Sequence, residues 1–181
     1  MKITVFGGSS PKPGEDTYQQ AFNLGSLLAK SGHSVVTGGY MGTMEAVSRG
    51  ANEAGGHVIG ITCADLERFR PTKANRWVIE EISYGTLHQR LGALIDICDA
   101  AFALPGGIGT LAEIVVMWNQ LLTSSQPPKP LILIGEGWKT VVESFYQSQG
   151  GYFPEKDKQW LLFAENIEEG INILKGWSNP S

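Results

Sequence analysis

Short apolar runs alternate with helical patterns along the chain, and this alternation limits the available folds more than any other feature. Runs such as ITVF at 3–6 and PLILIG at 130–135 are continuously apolar, as strands covered on both faces are. The predicted strands are ITVF, SVVTGG, HVIGIT, AAFALP, PLILIG and LLFA. The predicted helices cover residues 17–30, 43–54, 84–98, 110–122, 138–149 and 167–175. The pattern predicts one α/β domain over 1–181, a Rossmann-like doubly wound parallel sheet with helices on both faces.

Two stretches between the third strand and the helix at 84–98 do not fit this alternation. CADLERFRPTKAN, residues 63–75, is a long, mainly polar connection and predicts a loop with a role of its own. RWVIEEI, residues 76–82, is compatible with an edge strand or with the entry to the next helix.

Composition excludes several classes of protein. Hydrophobic residues make up 42% and charged residues 18% of the 181 residues, which is typical of a globular chain. The formal net charge of -4, without a block of Lys or Arg, disfavours a nucleic-acid partner. No apolar run approaches the roughly 18 residues of a membrane span. The first apolar stretch ends at Gly7, which is too short for the core of a signal peptide. We therefore expect a cytoplasmic protein without a membrane partner.

Cysteine and histidine do not suggest a metal site. Cys63 and Cys98 lie far apart without CxxC spacing, so we expect two packed free thiols. The three histidines show no metal-ligand spacing. We expect neither a metal nor a cofactor.

Three glycine-rich loops follow predicted strands: GGSS at 7–10, GGYMG at 38–42 and GGIG at 106–109. The carboxyl ends of parallel strands share one edge of a sheet, where ligands bind. Neither GxGxxG nor GxxxxGK[ST] occurs, so a standard dinucleotide site or P-loop is not supported. Three such loops on one edge predict a site for a nucleotide or another phosphate.

The stretch LPGGIGTLAE, Leu104 to Glu113, is the most informative of these loops. Its glycines allow a ligand to approach the backbone, and a helix beginning near Thr110 would direct free N–H groups at an anion. The alternative is purely structural, because Thr110 and Glu113 match the T-x-x-E capping box. The candidate phosphate- or nucleotide-binding residues are Gly8, Ser9, Ser10, Gly39, Gly42, Gly106, Gly107, Gly109 and Thr110.

Two motifs carry a resemblance to a known family. PGGIGTLAE, Pro105 to Glu113, matches PGGxGTxxE in full, and LHQR, residues 87–90, is similar to an MHxRK-type segment. The chain thus resembles the Lonely Guy (LOG) family of nucleoside 5'-monophosphate phosphoribohydrolases, often mislabelled as lysine decarboxylases. VFGGSS and GGYMGTM extend the similarity over most of the chain.

The resemblance implies hydrolysis of the N-glycosidic bond of a purine nucleoside 5'-monophosphate, with cytokinin nucleotides as one candidate substrate, by a homodimer. The family's essential residues carry over to Arg90 and Glu113. A carboxylate can stabilise the positive charge that develops on the ribose and deprotonate water. Arg90 would hold the phosphate or Glu113, or else be only a solvated helix residue.

Departures from the family pattern keep a second hypothesis open. Leu91 and Ala112 replace the family's Lys and Glu beside the essential residues, and Thr37, Thr43 and Glu45 alter the second loop. The alternative is a non-catalytic nucleotide or cofactor binding protein, a carrier or sensor, in which Glu113 mainly caps its helix.

Overall fold

A computed structural model describes residues 1–152 and 154–178. Phe153, which lies between the predicted helix at 138–149 and the predicted strand LLFA, is outside the described residues, as are the last three residues of the predicted domain over 1–181.

Seven parallel strands form one sheet in the order β4-β3-β2-β1-β5-β6-β7. The strands are β1 (Lys2–Phe6), β2 (Ser34–Thr37), β3 (Val58–Cys63), β4 (Glu80–Tyr84), β5 (Ala100–Ala103), β6 (Leu131–Ile134) and β7 (Leu161–Ala164). Every pairing is parallel; Thr4 of β1, for example, lies opposite Val36 of β2 on one side and Ala101 of β5 on the other. The doubly wound parallel sheet predicted from the apolar alternation is confirmed.

Helices cover both faces of this sheet. They are α1 (Asp16–Lys30), α2 (Thr43–Glu53), α3 (Ala64–Phe69), α4 (Leu87–Asp96), α5 (Ile108–Leu122), α6 (Glu136–Gln149) and α7 (Ile167–Gly176). Two short 3₁₀ helices, Gly150–Tyr152 and Glu155–Trp160, connect α6 to β7. The core on one face packs α1, α2 and α7, and the core on the other packs α4, α5 and α6. Continuous burial of β5 and β6 between these cores explains their unbroken apolar sequence.

Several predicted details are settled by the structure. Cys63 and Cys98 are buried free thiols, as expected. The ambiguous stretch at 76–82 leads into an edge strand, because β4 pairs with β3 in a register that joins Cys63 to Tyr84. That pairing also corrects the predicted helix at 84–98, which begins only at Leu87.

The prediction of a loop over 63–75 was wrong for the first half of that stretch, where the chain forms the short helix α3. No residue of α3 is buried, so it lacks the apolar stripe by which a helix is recognised in a sequence. Hydrogen bonds from Leu87 and Tyr40 to carboxylates of α3 hold the helix in place instead.

The strand order reverses between β1 and β5, and this switch point is where ligands bind in doubly wound sheets. The loop after β1 contains Gly8, and the loop after β5 contains Gly106. These loops meet directly, since Gly8 N donates to the Pro105 carbonyl over 3.2 Å. Among the helices of the described chain, none has the length and apolarity needed to cross a bilayer.

Candidate functional site

A cleft of about 400 Å³ opens at the switch point, at the carboxyl edge of the sheet. The loop after β1, the second glycine loop, α3, α4 and the start of α5 all contribute to its walls. Arg90 and Glu113, the two residues implied by the family resemblance, both line it. The fold therefore brings together residues that are 23 positions apart in the sequence.

Arg90 is held in one orientation by backbone groups. Its Nε donates to the Ile61 carbonyl over 2.8 Å, and an Nη2 hydrogen donates to the Gly38 carbonyl over 3.1 Å. The whole residue is only 6% exposed, which excludes the solvated helix residue considered from the sequence. Gly38 is required here, because a Cβ at that position would collide with the Arg90 guanidinium.

Tyr40 completes the surroundings of Arg90. Its ring lies 5.6 Å from the guanidinium carbon, within the range of a cation–π contact. The Tyr40 hydroxyl accepts a hydrogen bond from Cys63 N over 2.8 Å, which fixes the ring beside the end of β3. Tyr40 was not predicted as a site residue; its place inside a glycine loop, where large side chains are unusual, was the available signal.

Glu113 projects from α5 towards Arg90, with 4.0 Å between Glu113 Oε1 and Arg90 Nη1. The Glu113 side chain is 12% exposed. Burial raises the pKa of Glu113 to about 7, although the Arg90 charge lowers it. Proton exchange near neutral pH is the behaviour expected of a general acid or base.

The structural alternative considered from the sequence, a capping box formed by Thr110 and Glu113, is absent from α5. The helix begins at Ile108, its N-cap is Gly107, and no side chain caps it. Leu111 is the first residue of α5 whose N–H forms a hydrogen bond within the helix; it donates to the Gly107 carbonyl over 3.0 Å. Preceding N–H groups at the start of α5 therefore remain available to an anion.

The capping box of this region lies at α4 instead. Thr86 Oγ1 accepts from Gln89 N, and Gln89 Oε1 accepts from Thr86 N. This box defines the start of α4 one turn before Arg90, so it sets the position from which Arg90 reaches the cleft.

The predicted contact residues divide into those that line the cleft and those that do not. The lining members are Gly8, Ser9, Ser10, Gly107, Gly109 and Thr110. Gly39 lies behind the wall, where its N–H donates to Thr37 Oγ1 and its backbone packs on Thr62. Gly42 and Gly106 serve packing: a Cβ on Gly42 would meet the Ser9 backbone at 2.5 Å, and a Cβ on Gly106 would collide first with the Thr110 side chain.

Gly107 and Gly109 differ from the packed glycines. A Cβ built on either would meet no atom within 4 Å, so no protein contact requires a glycine there. Both border the cleft at the open start of α5. Space that the protein does not itself fill is what a bound ligand would need.

The altered residues of the second loop point away from the larger cleft. Thr37 Oγ1 and Ser48 Oγ share a buried hydrogen bond of 3.1 Å. The Thr43 side chain packs against Gly7, and Glu45 accepts from the Tyr18 hydroxyl over 3.2 Å. The departures from the family pattern are thus accommodated within the fold.

Two other concave regions lack this combination of groups. A smaller cavity of about 260 Å³ adjoins the cleft, with which it shares Gly8, Ser10 and Gly107, and is lined by uncharged residues that include Gly106 and Gln20. A shallow depression of about 560 Å³ on α6, lined in part by Phe145 and Tyr152, also has an uncharged lining. Only in the cleft at the switch point do a buried carboxyl, a buried guanidinium and an open helix start converge, among the pockets of the described chain.

Comparison with known families agrees with this geometry. The sequence profile of the SLOG cluster4 family matches residues 1–160, and the chain belongs to that family. The family resemblance predicted from PGGIGTLAE is confirmed.

Curated relatives are named as phosphoribohydrolases. A cytokinin riboside 5'-monophosphate phosphoribohydrolase of Arabidopsis thaliana is 35% identical over 183 residues, 98% of this chain and 83% of its own. The enzyme of that name from Rhodococcoides fascians is 32% identical over 179 residues, 96% of this chain and 88% of its own. A probable enzyme of this type from Oryza sativa is 35% identical over 130 residues, 70% of this chain but only 52% of the rice protein.

Solved structures of this fold include proteins described as binders of a cofactor. The molybdenum cofactor binding protein of Rippkaea orientalis superposes with a TM-score of 0.75 at 26% identity, over 96% of this chain and 94% of its own. The molybdenum cofactor carrier protein of Chlamydomonas reinhardtii gives a TM-score of 0.71 at 26% identity, over 96% and 95% of the two chains. The scaffold is therefore shared by proteins named as hydrolases and by proteins named as carriers.

Proposed function

We propose that this protein is a phosphoribohydrolase that cleaves the N-glycosidic bond of a purine nucleoside 5'-monophosphate. The products are the free base and ribose 5-phosphate. The observation that carries the proposal is the carboxyl of Glu113, buried 4.0 Å from Arg90 in a cleft that the open start of α5 borders. The relatives named as phosphoribohydrolases support it.

The chemistry needs a carboxylate beside the anomeric carbon. As the bond from C1' to the base nitrogen breaks, its electron pair leaves with the base and positive charge develops on the ribose. Ionised Glu113 would stabilise that charge and accept a proton from the water whose oxygen bonds to C1'. The base nitrogen takes up a proton from solvent as it leaves, and Glu113 then releases to solvent the proton it accepted, so atoms and charge balance.

Arg90 serves this proposal as a positioning residue. Two of its donor groups are used on the carbonyls of Gly38 and Ile61, and a third faces Glu113. Its charge favours the ionised form of Glu113 against the effect of burial. We assign the phosphate to the N–H groups at the start of α5, beside Gly107 and Gly109.

The assembly and the cellular location belong to the same proposal. We propose a homodimer in the cytoplasm that uses the exposed apolar side of α5, where Val115 is 47% exposed. The family resemblance supports this assembly.

The test is chromatographic detection of free base from a panel of nucleoside 5'-monophosphates. We expect turnover by the wild type and a loss of about 10²- to 10⁴-fold in kcat for Glu113→Gln. Glutamine keeps the shape of the side chain but cannot accept a proton from water. Glu45→Gln is the matched control, because Glu45 bonds Tyr18 outside the cleft and should keep activity. Thermal unfolding of each variant separates chemistry from folding.

A non-catalytic carrier is the second candidate function. The observation in its favour is the similarity to the molybdenum cofactor binding and carrier proteins at 26% identity. If the wild type releases no base from any nucleotide yet binds one, the carrier replaces the enzyme as the conclusion.

A further inference from the structure

The segment at 64–75 forms part of the cleft lining and is anchored by hydrogen bonds at both of its ends. At its start, Asp65 Oδ2 accepts from Leu87 N over 3.1 Å, and Glu67 Oε1 accepts from the Tyr40 hydroxyl over 3.2 Å. At its end, Asn75 Nδ2 donates to the carbonyls of Gly39 and Tyr40 over 3.0 and 2.9 Å. The residues between these anchors are thereby held against the site.

Arg70 is the cation that this segment presents to the cleft. The residues of its middle part that line the cleft are Phe69, Arg70 and Thr72. Arg70 is exposed, and among the side chains that the structure describes no carboxylate forms an ion pair with its guanidinium within 4.0 Å. Its neighbours are engaged elsewhere, since Arg68 pairs with Asp65 and Arg76 lies 4.7 Å from the Trp77 ring.

The other cation of the cleft is not equivalent. Arg90 donates from Nε and Nη2 to backbone carbonyls, and its Nη1 faces Glu113. A guanidinium with these partners has little left for a bidentate contact to phosphate. The N–H groups of the Arg70 guanidinium remain available for such a contact.

The start of α5 lines the same cleft, and its free N–H groups and dipole favour an anion. A phosphate in that position would carry close to two negative charges and would need more than N–H groups to replace its water. Arginine is the side chain best suited to that task.

We propose that Arg70 binds the 5'-phosphate of the ligand and thereby selects nucleoside 5'-monophosphates over nucleosides. This inference rests on the proposed function for the identity of the ligand. It assigns two roles to two arginines: Arg90 positions Glu113, and Arg70 recognises phosphate.

The experiment measures the affinities of adenosine 5'-monophosphate and of adenosine by calorimetry. It uses Glu113→Gln protein, in which the nucleotide is not consumed, with and without Arg70→Gln. The ratio of the two affinities isolates the contribution of the 5'-phosphate to binding. We expect Arg70→Gln to lower this ratio about tenfold or more and to leave adenosine binding unchanged. Lys73→Gln is the matched control, since it removes an exposed charge of the same segment outside the cleft lining.

The outcomes separate this inference from the proposed function. An unchanged ratio in Arg70→Gln, or an equal fall in Lys73→Gln, overturns the role of Arg70 whatever the hydrolysis assay gives. A protein that binds the monophosphate no more tightly than adenosine also overturns it. A selective fall in the ratio supports it even if the wild type hydrolyses nothing, in which case Arg70 belongs to a nucleotide carrier.

Discussion

The glycines around the cleft form two groups that the sequence alone does not distinguish. Gly38 and Gly42 belong to the second glycine loop, where protein atoms occupy the space that a Cβ would need. Gly107 and Gly109 begin α5, where a Cβ would meet nothing within 4 Å. The first group allows the loops and Arg90 to pack; the second leaves room beside the catalytic carboxyl proposed here.

This difference teaches that a glycine-rich motif combines two requirements. At Gly42 the requirement is internal to the fold, because its φ is +73° and the backbone of Ser9 lies 2.5 Å from a Cβ. At Gly109 no internal requirement is visible, so the explanation has to come from outside the chain. Substituting alanine in each group should therefore produce opposite patterns of stability and binding.

The largest effect is expected for Gly42→Ala. The added methyl combines left-handed backbone strain with a collision against the loop after β1, so we expect a loss of about 3 kcal/mol or more in the free energy of unfolding. Urea denaturation of the purified proteins measures it.

Gly32→Ala is the control for Gly42→Ala. Its φ is +79°, but a Cβ there meets no atom within 4 Å, so only the strain of about 1 to 2 kcal/mol is expected. Equal losses in the two variants would show that the packing between loops is unimportant.

Glu113 provides the next largest effect, and its sign follows from its pKa. Burial raises the pKa of Glu113 from an ordinary value of 4.5 to about 7, so folding favours the protonated carboxyl. This contribution to stability is complete below about pH 4.5 and is lost as the pH rises through 7. Glu113→Gln has no such loss. We expect its free energy of unfolding, relative to the wild type, to increase by up to about 3 kcal/mol between pH 4.5 and 8.

Denaturant unfolding at a series of pH values measures this difference. Where the wild type is active, its kcat/KM should rise with pH through about 7, as the carboxylate that accepts the proton from water forms. A stability difference that stays flat from pH 4.5 to 8 would contradict the burial of an ionisable group at this position.

The comparison also shows which parts of the molecule could be predicted from the sequence. The sheet was predictable because β1, β5 and β6 are buried on both faces and have continuous apolar sequences. The pairing of Arg90 with Glu113 was expected only through a resemblance, since no local pattern links residues on two different helices. Their distance of 4.0 Å is a product of tertiary structure.

The missed elements have a common physical reason. The helix α3 has no buried face, and its anchors at Asp65 and Glu67 are bonded to groups that lie more than 20 residues away in the sequence. At α5, a T-x-x-E pattern left a capping box open as an alternative, but Glu113 faces Arg90 and the helix starts at Ile108. Local signals fail where a side chain that could satisfy its own helix is engaged by a distant residue.

The smallest change in stability, and the sharpest test of the comparison, is expected for Gly109→Ala. Gly109 is the second residue of α5, and Gly137 is the second residue of α6; neither has an atom within 4 Å of a built Cβ. Alanine at either position should leave stability unchanged or raise it by up to about 1 kcal/mol, because alanine favours helix formation. Only Gly109→Ala places its methyl in the cleft, so only it should weaken the binding of adenosine 5'-monophosphate, measured by calorimetry. Equal affinities in the two variants would mean that the space beside Gly109 does not hold the ligand, and the phosphate would then have to be placed elsewhere in the cleft.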